Sequence, residues 1–250
     1  MSANAPGWLT ARPIAHRGLH DAAAGRIENT FAAAKAAIAR DFAIEFDVQF
    51  SADGEAVVFH DATLDRLMQA GGAVGKRTVA ELQALTFKGS DERISTLPDF
   101  LACVAGRVPV ICEIKSRFDG DMRLTDRTSA IAASYSGPLA LKSFDPAVIA
   151  HLRAAGVDRP LGIIAEASYE GDYWRELSAE QKQSCAAFLH YPQTRPDFLS
   201  WNVDDLPHPT PALLRALASM PVMVWTVTTS EQKRRAELWA DQIVFDGEPD

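Results

Sequence analysis

Short apolar runs alternate along this chain with longer stretches in which apolar residues recur at helical spacing. The runs are 13–17 (PIAHR), 43–48 (AIEFDV), 108–115 (VPVICEIK), 138–143 (PLALKS), 161–165 (LGIIA), 186–191 (AAFLHY), 221–227 (PVMVWTV) and 242–246 (QIVFD). Between them lie 30–41 (TFAAAKAAIARD), 145–156 (DPAVIAHLRAAG) and 210–220 (TPALLRALASM), the last opening on Thr210-Pro211 as an N-cap and first-turn pair. Strand and helix in repeated alternation predict parallel strands with crossover helices. Eight such units in 250 residues predict an α/β fold closed as a (β/α)8 TIM barrel rather than an open sheet. Residues 197–203 (DFLSWNV) compete with 186–191 for the place of the sixth strand. With no internal repeat and no low-complexity linker, residues 1–250 read as one barrel domain. Residues 61–98 are too long for a simple βα loop and read as a small, partly helical insertion within it.

Polar residues interrupt the second run in a telling way. In an extended segment successive side chains alternate faces, so Glu45 and Asp47 point one way while Ile44, Phe46 and Val48 point the other. Asp53-Gly54 then signals a two-residue hairpin turn before a second apolar run ending in His60-Asp61. With Asp53 and Gly54 as the central turn residues, Ala52 pairs with Glu55, and the antiparallel ladder sets Asp47 opposite His60. The bland alternative is a solvated edge strand carrying a surface histidine.

Other strand ends tip the balance. The first run ends in His16-Arg17-Gly18, the third places Glu113 and Lys115 on one face, and the seventh carries Trp225. In a barrel these ends meet at the C-terminal face, where chemistry is done. Charges on buried strands are costly unless paired, so their convergence points to a metal or an anionic ligand. The carboxylates of Glu45, Asp47 and Glu113 form a hard oxygen set suited to Mg²⁺ or Ca²⁺, and no cysteine stands near enough to make a zinc site.

Composition removes other classes. A formal charge of −8 with no basic run argues against a nucleic-acid partner. Cys103, Cys112 and Cys185 are odd in number and lack CxxC spacing, which fits a reducing compartment. The N-terminal stretch has no basic region followed by an apolar one, and no apolar run is long enough to cross a bilayer, so a cytoplasmic protein without stable membrane association is expected. The sequence leaves the oligomeric state open. The segment 71–78 (GGAVGKRT) is not a phosphate-binding loop, because Ala70 stands where the first glycine belongs and Arg77 where Ser or Thr is needed.

The strings AHRG (15–18), ENTFAA (28–33), EFDV (45–48), DGEAVVFHD (53–61) and EIK (113–115), in this order and spacing, resemble the glycerophosphodiester phosphodiesterase family; SFDP (143–146) and WTV (225–227) add weaker matches. The resemblance is strong over about 12–115 and patchy afterwards. It implies a TIM barrel with a small insertion after the second histidine, and metal-dependent hydrolysis of a small-molecule glycerophosphodiester to glycerol 3-phosphate and an alcohol. By the same resemblance His16 and His60 are the catalytic pair, Glu45, Asp47 and Glu113 the metal ligands, and Arg17 and Lys115 the phosphate contacts. Glu28 and Asn29 belong to the mouth-lining loop, and Trp225 is a substrate wall. The chain departs from the family pattern at Leu19, Thr228, Gln242 and Phe245, none of them a proposed ligand or acid–base group.

The residue types fit that chemistry on their own terms. A phosphodiester monoanion repels nucleophiles, so its hydrolysis needs cationic groups at the non-bridging oxygens and two proton carriers that titrate near neutrality. Two rivals share the pattern. One is a Schiff-base lyase using Lys115, since a lysine beside an acid at a barrel strand end also suits an aldolase. The other is a barrel that binds polyol phosphates without turning them over.

Overall fold

The computed structural model describes residues 5–247. Its strands are β1 (Ile14–Ala15), β2 (Ala43–Phe50), β3 (Ala56–Val58), β4 (Ser95–Thr96), β5 (Val110–Ile114), β6 (Leu139–Ser143), β7 (Leu161–Ala165), β8 (Phe198–Asn202), β9 (Val222–Val227) and β10 (Gln242–Phe245). Strands β1, β2 and β5 through β10 are joined side by side in parallel, and the pairing of β10 with β1 and of β1 with β2 closes them into an eight-stranded barrel. Helices α1 (Phe31–Ala39), α2 (Val79–Gln83), α3 (Leu97–Val104), α4 (Arg123–Ser134), α5 (Pro146–Ala154), α6 (Ala179–Ala186), α7 (Tyr191–Thr194), α8 (Pro209–Ala218) and α9 (Ser230–Trp239) occupy the connections. The outer faces of the strands meet the helices in the main core, with Ile44, Phe46, Val48, Val110, Cys112, Leu141 and Ile163 all buried.

The inner faces are layered by the two-residue strand period. Ile14, Ala43, Ile111, Ala140, Phe198, Met223 and Val244 form an apolar floor inside the barrel. Two residues further along the same strands stand His16, Glu45, Glu113, Lys142, Ser200, Trp225 and Asp246. One more step gives Asp47 on β2, with Lys115, Phe144, Glu166 and Asn202 at or just past their strand ends. The strands therefore start dry and end in a largely polar rim, each layer about 7 Å further along the strand. The floor excludes water from below, so the polar layers work in a half-dry mouth.

Two sequence expectations are corrected. The sixth barrel strand is Phe198–Asn202, within the competing stretch 197–203, while 186–191 continues from helix α6 into α7. A capping box of Ser178 and Gln181 starts α6 and commits the chain to helix ahead of that apolar run. The hairpin register is also one residue off. Val48 pairs with Val58 and Phe50 with Ala56, so Ser51 faces Glu55 and Asp47 faces Phe59. The loop holds three residues, not two: Gly54 alone adopts positive φ (+86°), and the Ser51 hydroxyl donates to Asp53 and receives the Glu55 N–H. His60 still reaches the mouth because β3 ends at Val58 and the chain turns there, with its carbonyl fixed by the Gln49 side-chain amide at 2.8 Å.

Helix α8 begins two residues earlier than Thr210-Pro211 implies, at Pro209, because His208 serves as N-cap through its ring nitrogen. Within 61–98 the short helix α2 and the isolated turns cover a separate small core of Ile27, Val57, Phe59, Leu64, Met68, Val74, Leu82, Phe87 and Ile94. The last residues of this stretch return to the barrel, β4 pairing with β3 and Thr96 capping α3.

Candidate active site

The turn after β1 shapes one side of the mouth. Gly18 has φ +79°, and a Cβ there would lie 2.9 Å from the Ala33 backbone, so only glycine lets the chain fold back against α1. Arg17 and Asn29 also take positive φ, at +55° and +60°. This turns the Arg17 N–H onto Glu45 Oε2 at 3.2 Å and the Asn29 N–H onto the Arg17 carbonyl at 2.9 Å. Such backbone is strained for non-glycine residues, and the site holds it in place with these bonds.

Glu45, Asp47 and Glu113 each offer an oxygen within 4.8 Å of the others, and all three residues are buried. Oxygens bound to one Mg²⁺ or Ca²⁺ at 2.0–2.6 Å can be no more than roughly 5 Å apart, so this set fits such an ion. Cations of the chain already face the carboxylates. Lys115 Nζ lies 2.8 Å from Asp47 and 2.5 Å from Glu113, Lys142 Nζ lies 3.0 Å from Glu45 Oε1, and Arg17 Nε lies 3.6 Å from Asp47. Although Lys142 is close, Glu45 Oε1 makes no hydrogen bond, which leaves an open lone pair for a ligand. Burial works against ionisation of Asp47, but Lys115, His60 and Arg17 overcome it and hold the carboxyl far below its ordinary value. Lys115, although desolvated, is pushed well above the usual lysine range by Asp47 and Glu113.

Asn29 is committed to Asp47 on both sides: its amide N–H₂ donates to Oδ2 at 2.9 Å and its carbonyl receives the Asp47 N–H at 3.2 Å. It orients a carboxylate of the cluster rather than lining open space. Glu28 receives Arg17 at 2.6 Å and both arms of Arg66 at 2.7–2.8 Å, so it holds the arginine in place. Thr30, the residue after Asn29, caps α1 through its side chain, which accepts the Ala33 N–H.

Both candidate acid–base histidines are backed by carboxylates. His16 Nδ1 lies 2.9 Å from Asp246, which also holds His20 Nε2 at 3.0 Å; His60 Nδ1 lies 2.7 Å from Asp61, which is itself clamped by Arg66. A carboxylate only accepts, so in each ring Nδ1 carries a proton and Nε2 is left to meet a ligand. Against the effect of burial, the two histidines keep the Asp246 carboxyl well below its usual range, and Asp61 is lowered to about 2 chiefly by Arg66 and His60.

These groups open onto one cavity of 530 Å³ lined by His16, Arg17, His60, Glu113, Lys115 and Lys142 together with aromatic residues including Trp225. The Trp225 indole donates to the Ser200 carbonyl at 3.0 Å, so the same ring packs the barrel and walls the cavity.

Sequence reasoning overlooked Lys142, Asp246, His20 and Asp61. A lysine inside the apolar run 138–143 was the available signal for Lys142, which the register sets beside Glu113. No comparable signal marked Asp246 and His20, which meet only through barrel closure. The family departures lie off the site: Gln242 bonds Thr10, Phe245 packs on Phe42, Thr228 bonds Gln232 at the start of α9, and Leu19 is in the core.

The chain resembles known proteins at several levels. Over 117 residues it is 32% identical to glycerophosphodiester phosphodiesterase 1 of Rattus norvegicus, a stretch covering 42% of this chain but only 34% of that relative. The bovine protein of the same name gives 33% identity over 113 residues, with 41% and 33% covered. Among solved structures, a phosphodiesterase of Oleispira antarctica in complex with the product sn-glycerol-3-phosphate superposes with TM-score 0.77 at 20% identity, covering 95% of this chain and 93% of that one. A glycerophosphodiester phosphodiesterase of Thermotoga maritima gives 0.70 at 24% identity, with 93% of each chain covered. At such identities the superpositions establish the barrel. The glycerophosphoryl diester phosphodiesterase family model matches residues 16–247, nearly the whole span that carries the layered mouth, and the chain belongs to that family.

Proposed function

We propose that this protein hydrolyses glycerophosphodiesters to glycerol 3-phosphate and an alcohol, with a divalent ion, Mg²⁺ or Ca²⁺, held by Glu45, Asp47 and Glu113. The observation that carries this reading is the pairing, in one mouth, of two carboxylate-backed histidines with a buried three-carboxylate cluster. The ion, when bound, would supply positive charge against the non-bridging phosphate oxygens. Arg17 is braced by Glu28 to present its guanidinium to the same phosphate, and Lys115 adds an ammonium beside it. His16 and His60, each with Nε2 free, serve as the two proton carriers, one taking a proton from the attacking oxygen and the other giving one to the leaving alkoxide. This division suits water or the neighbouring glycerol hydroxyl as the attacking group.

Charge arithmetic supports the order of events. Three carboxylates are matched by Arg17, Lys115 and Lys142, so the mouth is close to neutral on its own. An added dication makes it positive, which favours an anionic diester. Metal and substrate should therefore bind cooperatively. The lyase reading loses ground here, because an ammonium gripped by Asp47 and Glu113 is not a free amine nucleophile.

The test is release of glycerol 3-phosphate from a panel of diesters after chelation and after return of Mg²⁺ or Ca²⁺. Activity should vanish with EDTA and return with the ion, and Glu45→Gln should raise the metal concentration needed at least tenfold. Full turnover in verified metal-free protein, or no turnover of any glycerophosphodiester with either ion, would overturn the reading. Among the described residues no helix is long and apolar enough to cross a membrane.

A further inference from the structure

The cavity has a second half that the hydrolytic chemistry does not use. Phe144 and Glu166 follow directly on β6 and β7, and Tyr173 and Trp174 sit on a single turn at 172–174. Together with Trp225 they form an aromatic box. The Phe144 ring stands 5.0 Å from Trp174 and 5.4 Å from Trp225, the latter edge-on at 85°, and Tyr173 meets Trp174 edge-on at 4.6 Å and 89°. All four line the same 530 Å³ cavity as His16, His60 and Lys115. Tyr173 is 69% exposed, so the box is open at its rim.

One carboxylate sits in this box. Glu166 accepts the Trp174 indole N–H and, at 3.4 Å, the Asn202 amide, and among the described residues it pairs with no lysine or arginine. Burial raises its carboxyl above the usual value, against the hydrogen bonds from Trp174 and Asn202, and another acid, Asp205, adds to the rise. A partly desolvated anion that lines the same cavity as these rings, and that pairs with no lysine or arginine among the described residues, suits a cationic guest. Ring faces attract a quaternary ammonium by their quadrupoles, and the half-buried Glu166 carboxylate adds charge complementarity that a neutral alcohol cannot use.

We propose that this aromatic and acidic half of the mouth is a headgroup pocket that selects a quaternary ammonium alcohol, so the preferred diester carries a choline-type leaving group. The inference rests on the phosphodiesterase reading for the phosphate half, and it divides the mouth by charge. The half with Arg17 and Lys115 takes the phosphate, and the half with Glu166 and Trp174 takes the trimethylammonium. Diesters with glycerol or inositol as the leaving alcohol would place neutral hydroxyls against Phe144 and Trp174 and leave Glu166 unpaired.

Binding and turnover test it separately. In the full-length protein with Mg²⁺, choline chloride at constant ionic strength should change tryptophan fluorescence saturably. The neutral isostere 3,3-dimethylbutan-1-ol, of the same shape, should bind at least about tenfold more weakly. Glu166→Gln should bring the two affinities together. In turnover, kcat/KM for glycerophosphocholine should exceed that for glycerophosphoglycerol by about tenfold or more, and this ratio should collapse towards one in Glu166→Gln and in Trp174→Leu. The glutamine variant keeps the fold in case the tryptophan variant loses it. Equal affinity for choline and its isostere, or a wild-type ratio at or below one, overturns the inference. Saturable, charge-selective choline binding without hydrolysis of any diester would instead uphold the pocket and remove the phosphodiesterase reading.

Discussion

At the scale of single residues, the mouth divides into groups that meet the ligand and groups that hold them. His16 and His60 are of the first kind. Replacing either by alanine should lower kcat by on the order of 10²–10⁴, the usual range for acid–base groups, with the circular dichroism spectrum retained. Turnover within a few-fold of wild type in either variant would refute the assignment. Asp246 is of the second kind, a positioning residue that holds the His16 ring through Nδ1 at 2.9 Å. Asp246→Asn should lower kcat by about tenfold or more while leaving KM nearly unchanged, because the phosphate contacts Arg17 and Lys115 are untouched. A KM effect without a kcat effect would place Asp246 in substrate binding instead. Glu45, Asp47 and Glu113 were legible in the sequence because the strand period puts Glu45 and Asp47 on one face and the polar ends of several strands converge at the mouth of a barrel. Lys142, Asp246 and Glu166 share that inner face, yet an isolated charge in a strand has no meaning until its neighbours across the barrel are known.

At the scale of elements, period and neighbours divide the information differently. The layering of apolar floor and polar rim follows from alternation, so seven of the eight barrel strands can be read directly as apolar runs. The eighth case, 186–191 against 197–203, is ambiguous because a short apolar run fits a helix end as well as a strand, and the deciding signal was the Ser178 cap upstream rather than the run itself. The hairpin register failed for a similar reason. Asp-Gly marks a turn, but whether the loop holds two or three residues depends on Ser51, whose hydroxyl bonds both Asp53 and Glu55. Floor packing carries its own prediction. Gly162 on β7 leaves the space filled by Phe198 of β8, and a Cβ at 162 would lie 2.3 Å from that fully buried ring. Gly162→Ala should therefore cost about 1–3 kcal/mol in denaturant unfolding, and Phe198→Leu in the same chain should recover part of that loss. Strictly additive losses for the two changes would show that they do not share the floor.

At the scale of the whole molecule, most ionisable groups sit where water or a partner serves both protonation states, and His190 does not. It is 8% exposed, packed at a 57° tilt against the Phe188 ring with centroids 4.5 Å apart, and bonded through Nδ1 to the Thr194 hydroxyl at 3.2 Å. Desolvation lowers its pKa to about 4, so it is folded as the neutral ring. An unfolded chain takes up a proton there near pH 6.5, and the folded chain does so only near 4. Between those values the unfolded state binds more protons, so stability rises with pH across this window and falls as the solution is acidified through it. A depression of this size corresponds to about 3 kcal/mol, fully present above the unfolded value and lost by the time pH reaches the folded one. His190→Phe keeps a tilted ring contact with Phe188 and leaves the Thr194 hydroxyl its bond to the backbone carbonyl of residue 190 at 3.1 Å. In that variant, urea unfolding of the metal-free protein between pH 7 and pH 4.5 should lose most of the acid-dependent decline that wild type shows. Asp61 does not contribute there, because a carboxyl lowered to about 2 loses its stabilising share only below its ordinary range. An unchanged slope in His190→Phe would refute the assignment of the acid sensitivity to this buried ring.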